Sequence, residues 1–264
     1  MIHSYLRSMW GMALRDLRVL RRGLGAFIVR TAMNPVLFIF VFGYVFPRTG
    51  QGIDAAGGVG YATVVVPGLV AVAIVFQAIT AVALPLSMEL SATREIEDRI
   101  LAPLPIGLVA FEKVLMGAAQ GVVAGLVVFP LVTIIPATPV AVHVADWPLL
   151  IAVILLATLT SGALGLALGT LVRPQQIGLL FAVVVVPITF LGCVYYPWAS
   201  LGPIPWLKWL VLLNPLVYMS EGLRIALTPD VPHMPARVVL LALASAATLL
   251  TLVGIRTFRR RTIA

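Results

Sequence analysis

Residues 91–105 read SATREIEDRILAPLP, and five charges fall within six residues: Arg94, Glu95, Glu97, Asp98 and Arg99. Outward on both sides the chain is almost continuously apolar, from about Tyr61 to Leu86 before the cluster and from about Val114 to Ile135 after it. Each run supplies the roughly 20 residues that a helix needs to cross a bilayer core. The charged stretch therefore reads as a loop between two membrane spans, and the same test applied along the chain finds four more. These are Phe27 to Phe46, about Leu149 to Leu171, about Ile177 to Val194 and about Val238 to Ile255. The sequence thus predicts an all-α membrane protein with six transmembrane helices in a single domain over residues 1–264. Trp206 to Leu213 is apolar but too short to cross. With its surroundings, residues 197–236, it reads as a short extracellular re-entrant hairpin before the last helix. The alternative, a seventh crossing, would put the termini on opposite sides.

Composition agrees. Of 264 residues, 61% are hydrophobic and 11% charged, against about 25% charged in soluble domains. A larger core cannot absorb that shift, because a globular surface must still be covered with polar groups. The net charge of +8 does not point to nucleic acid, because the basic residues have no aromatic-interleaved patch and follow membrane topology. The single cysteine, Cys193, allows no internal disulfide, and His3, His143 and His233 lack metal-ligand spacing. No metal is expected. Arginines interrupt the N-terminus, which does not read as a cleavable signal peptide.

Lys and Arg favour the cytoplasmic side. Arg7, Arg15, Arg18, Arg21 and Arg22 precede the first span; Arg94, Arg99 and Lys113 lie between the second and third; Arg173 lies between the fourth and fifth; and Arg256, Arg259, Arg260 and Arg261 end the chain. The opposite side has only Arg48, Lys208, Arg224 and Arg237. Both termini and the charged loop are therefore expected in the cytoplasm, in a multi-pass plasma (inner) membrane protein. Tyr44, Tyr61, Trp147, Tyr195, Tyr196 and Trp198 fall at the outer interface, where amphipathic rings settle. Within residues 1–26, Leu6, Trp10, Ala13, Leu17 and Leu20 share one helical face, and Arg15, Arg18 and Arg22 another. That is a basic amphipathic helix lying in the cytoplasmic interface. It serves either as an anchor that sets topology or as a lever that passes motion from a cytoplasmic partner to the first span.

The spans carry packing signals and little chemistry. Gly117, Gly121 and Gly125 recur at every fourth position, as do Ser161, Gly165 and Gly169. Such spacing lets helix backbones approach closely in lipid, within the chain or across a dimer. Pro35, Pro67, Pro130 and Pro187 lie inside spans and permit kinks. Asn34, Gln77 and Gln120 are the notable buried polar candidates, and Gln77 and Gln120 are candidates for a substrate path. Ion-coupled carriers usually need an intramembrane ionisable residue, and no clear one is seen at mid-membrane. No phosphate loop of the G-x-x-x-x-G-K-[ST] type is present. An ion-coupled secondary transporter or channel without an ATPase stands as the alternative function. No constellation supports an enzyme.

The loop extends as MELSATREIEDRILAPLPIGLVAFEKVL, residues 88–115. It resembles the first cytoplasmic loop of type-2 ABC exporter permeases, the group containing daunorubicin-resistance permeases and polysaccharide and lipid exporters. Glu95, Glu97, Asp98, Arg99, Pro103, Pro105 and Lys113 match that family's order. The acidic-Arg-Glu start often seen there reads Ala-Thr-Arg-Glu here, residues 92–95. A second match is LNPLVYMSEGLRIAL, residues 213–227, where Asn214, Pro215, Glu221 and Arg224 resemble the segment before the last span.

The resemblance implies that residues 88–113 form a coupling loop seated on a cytoplasmic ABC ATPase, with Arg94, Glu95, Ile96, Glu97, Asp98, Arg99 and Ile100 in contact. On that reading Ile96 and Ile100 make the apolar contact and the mixed charges set register; the alternative is a solvated loop that sets topology. The resemblance further implies two ATPase subunits that bind ATP and Mg, a second permease identical or related to this chain, and contact with membrane lipid. It implies export of an amphipathic drug, lipid or lipid-linked substrate, with no cofactor and no bond chemistry on this chain. Glu221 and Arg224, three residues apart, are expected to pair on the exposed outer hairpin, where an ion pair contributes roughly 0–1 kcal/mol.

Overall fold

A computed structural model describes residues 11, 14, 18, 21–49, 60–91, 105–135, 140–172 and 174–263. Among the described residues, four helices are long and apolar enough to cross a membrane. They are α2 (Tyr61–Ser91), α3 (Ile106–Ile134), α4 (Trp147–Leu171) and α8 (Ala236–Ile263). The first and fifth expected spans are helical but shorter in their apolar parts. Helix α1 (Leu24–Ile39) runs on through a wide π-turn, Phe40–Val45, into Phe46–Arg48. Helix α5 (Pro174–Phe190) likewise widens at Phe181–Val185, just before Pro187. Proline lacks the N–H of the regular ladder and its ring presses on the carbonyl four residues back; a wider turn relieves both.

Two boundaries differ from expectation. Helix α3 begins at Ile106, after Pro105, not near Val114, so Lys113 lies two turns inside a helix and not in the loop. Helix α8 runs to Ile263, carrying Arg256 and Arg259 to Arg261 on its final turns. Proline suits a helix start because its missing N–H would be unpaired there anyway. Cationic side chains at a helix end face the partial negative charge of the last carbonyls.

The 197–236 region contains α6 (Pro205–Leu210), extended by a tight turn Val211–Leu213, and then α7 (Pro215–Leu227). The two parts meet at 97°. Asn214 makes the corner: its side-chain oxygen accepts from the Leu216 amide at 3.0 Å, and its Nδ2 donates to the Ile188 carbonyl of α5 at 2.7 Å. An N-cap Asn followed by Pro at the first helical position is a strong start signal. A 97° bend is the shape of a broken or re-entrant segment, not of a straight crossing.

Helix α2 is the centre of the bundle, packing against α1, α3, α4 and α7. The small-residue faces of α3 and α4 turn toward it. A Cβ added at Gly117 would strike the Val82 side chain, and one at Gly165 would lie 3.1 Å from the Ile79 backbone. Both repeats therefore serve packing within this chain. At the expected outer end, Phe42 meets Tyr61 and Tyr195 with ring centroids 5.7 and 5.6 Å apart, joining α1 to the tops of α2 and α5.

Candidate functional site

An extended polar cluster is built on Glu221 and Arg224 of α7. The expectation of an exposed pair is wrong: both side chains are fully buried, and Arg224 Nη1 lies 2.5 Å from Glu221 Oε1. The i, i+3 spacing aligns them on one helix face, but other segments close over them. Glu221 Oε1 also accepts from the Trp198 amide and Oε2 from the Met234 amide, each at 2.9 Å. Arg224 Nη2 donates to the Cys193 carbonyl at 3.1 Å and to the Val64 carbonyl at 3.4 Å. Cys193 has φ 51°, a left-handed backbone uncommon outside glycine. Its carbonyl is thereby turned to the guanidinium, and Gly68 of α2 leaves room for the same turn, since a Cβ there would overlap the Val194 backbone. One ion pair thus ties α7, α2, the end of α5 and the segment before α8. Removing one member of a buried pair is strongly destabilising because the other charge is left in a poor solvent.

A second polar group crosses the middle of the bundle. Thr31 Oγ1 of α1 donates to Gln77 Oε1 of α2 at 3.1 Å, and Gln77 Nε2 donates to Gln120 Oε1 of α3 at 3.2 Å. Gln77 lies sixteen residues after Tyr61, about 24 Å along the helix at the usual rise, near the middle of α2. The two candidate path residues are therefore brought together. Gln77 also helps to line a cavity of about 370 Å³ between α1 and α2. Val29, Met33 and Pro35 form its α1 wall and Val72, Ala73 and Phe76 its α2 wall; Thr31, Gln77 and Thr80 are its polar lining.

A third cluster sits where α2 and α3 approach the charged loop. Lys113 Nζ lies 2.9 Å from Glu89 Oε1, and both side chains are largely buried. Glu112 beside them is buried too. The loop residues Arg94, Glu95, Ile96, Glu97, Asp98, Arg99 and Ile100 lie outside the described residues, as do Trp10 and Arg15. Arg18 and Arg22 are helical and exposed.

The family model described as ABC-2 type transporter matches residues 7–228. The chain belongs to the ABC-2 type transporter family. It is similar to the inner membrane transport permease YadH of Escherichia coli strain K12, 29% identical over 230 residues, which cover 85% of this chain and 84% of that protein. YadH of Escherichia coli O157:H7 and of Shigella flexneri match to the same extent. As an ABC-2 family member the chain is a non-enzymatic transport permease that works with a separate ABC ATPase. That membership supersedes the ion-coupled alternative.

Within this ABC-2 permease, sequence reasoning missed the Glu89–Lys113 pair and the enclosure of Glu221 and Arg224. A signal was present for each. Glu89 interrupts an apolar run that continues to Leu90, and two opposite charges stand in the otherwise uncharged segment 213–227. An unpaired charge is expensive in such surroundings, so each called for a partner.

Proposed function

We propose that this chain is the membrane subunit of an ATP-driven exporter in the inner membrane, with both termini in the cytoplasm and residues 88–113 serving as the coupling loop. Two permeases, identical or related, assemble with two ATPase subunits that bind ATP and Mg. The cargo is an amphipathic drug, lipid or lipid-linked molecule, moved from the cytoplasm or inner leaflet outward. The observation that carries the coupling role is the Glu89–Lys113 ion pair. It joins α2 to α3 near the points where the charged loop leaves and re-enters the bundle, so a push on the loop moves both helices together. The basic segment before α1, with Trp10, Arg15, Arg18 and Arg22, is the second lever against the ATPase. The hub of Asn214, Pro215, Glu221 and Arg224 holds the outer hairpin as a lid over the exit. The inner-membrane placement is supported by the similarity to YadH.

Gentle purification from the native membrane with mass spectrometry of bound proteins tests the reading. Stoichiometric ATPase is expected with the natural chain, and its loss with Glu97→Arg combined with Asp98→Arg, because like charges across a docking surface repel. Normal ATPase retention and transport in that variant would overturn the coupling role. Transport driven by an ion gradient without any ATPase would overturn the exporter reading. For topology, His143→Cys in a Cys193→Ala background is expected to react with an impermeant thiol reagent in intact cells; reaction only after permeabilisation would reverse the orientation.

A further inference from the structure

We infer that the cavity between α1 and α2 binds an uncharged amphipathic molecule that enters sideways from the membrane and rests a hydroxyl or amide group on Gln77 and Thr80. The inference deepens the proposed function, and rests on it only for the step from binding to transport.

The cavity's chemistry selects this class. Its volume of about 370 Å³ falls in the usual range for small-molecule sites. Its walls are mainly apolar, and among the described residues no charged side chain lines it. An ionised group placed there would lose its hydration with no counter-charge from the described lining, which is costly. A wholly apolar guest would leave polar capacity unused. The Gln77 amide spends one N–H on Gln120 and one oxygen lone pair on Thr31; an amide has two of each. Thr80 donates to the Phe76 carbonyl at 2.6 Å, so its oxygen can still accept. One donor and acceptors, side by side, match a hydroxyl or an amide. Gln77 is itself only 5% exposed, so it is a fixed anchor and not a surface group. The route in is lateral: Val29 and Met33 of the α1 wall are 62% and 52% exposed, and both lie along the apolar side of a helix.

The test uses the full-length chain in phosphatidylcholine nanodiscs and two diazirine photoprobes of equal acyl length. One is a monoacylglycerol and the other carries a phosphate headgroup. Labelled peptides are mapped by mass spectrometry. The monoacylglycerol probe is expected to label residues 29–35 and 72–80 saturably, competed by excess unlabelled monoacylglycerol, while the phosphate probe labels them no more than the exposed face of α8 around Leu241 and Leu249. Ala73→Phe fills the cavity and is expected to abolish the saturable signal. Gln77→Leu is expected to weaken the apparent affinity roughly two- to tenfold, the range for one hydrogen bond. If Gln77→Leu fails to insert, Thr80→Val reads the same preference. Non-saturable labelling, equal labelling by both probes, or an unchanged signal in Ala73→Phe would overturn the site. Saturable labelling in a chain that captures no ATPase and supports no transport would keep the site and remove the exporter reading.

Discussion

Helices α2 and α8 are nearly alike in apolar character, yet they occupy opposite positions. Within α2, 72% of the apolar span is buried inside the molecule; within α8 the share is 22%. Ile74, Ile79 and Leu86 of α2 are fully enclosed, whereas Leu241 and Leu249 of α8 are 73% and 62% exposed. The difference teaches that hydropathy in a membrane chain reports solvent and not position. Lipid tails are as apolar as a leucine-rich core, so neither location penalises the other's side chains. What sorts the helices is the company of small and polar residues. Helix α2 receives the glycine faces of α3 and α4, holds Gln77 for the polar relay, and offers the Val64 carbonyl to Arg224. Helix α8 keeps one packed side, with Val239, Leu243 and Phe258 fully buried. It is pinned near its end by Arg261, whose Nη1 donates to the Thr170 carbonyl of α4 at 2.6 Å.

The contrast can be tested by pairs of changes on its two sides. The largest effect is expected at the buried hub. Arg224→Met strands the Glu221 carboxylate and should cost roughly 3–5 kcal/mol, read as a loss of folded protein on titration with a denaturing detergent. Arg256→Met, at an exposed position on α8, should change the same midpoint little. Equal midpoints for the two variants would mean that the hub does not hold the fold. A smaller loss, about 1–3 kcal/mol from overpacking, is expected for Gly165→Leu, whose new side chain would press on the Ile79 backbone. Thermal unfolding in nanodiscs would show it. A tolerated leucine there would place the α4 small-residue face away from α2. The smallest effect is expected for Leu241→Ala, within about 0.5 kcal/mol. A larger loss would reveal that this face of α8 is covered by another protein surface.

Much of the fold was legible. The charged stretch 92–100 separates two long apolar helices at the expected place, the glycine repeats mark the helices that pack closely, and Asn214-Pro215 starts α7. The α3 boundary was misplaced because Glu112 and Lys113 look like loop residues by hydropathy, yet Lys113 reaches back to Glu89 and stays inside the helix. Counting spans was less secure for α1 and α5, whose apolar parts are shorter and whose helices are interrupted by wide turns. The Glu221–Arg224 pairing was legible from i, i+3 spacing. Its burial was not, because the covering groups come from Val64, Cys193, Trp198 and Met234, far away in the chain.

From sequence alone follow the membrane class, the placement of the charged loop and the helices that flank it, since a bilayer demands long apolar runs and expels charge. Which helix lies at the centre, which ion pair is sealed, and where a cavity meets the Gln77 amide were decided only when the helices packed. Apolar side chains are indifferent between lipid and protein, and only the three-dimensional meeting of small residues, hydrogen-bond donors and acceptors breaks that indifference.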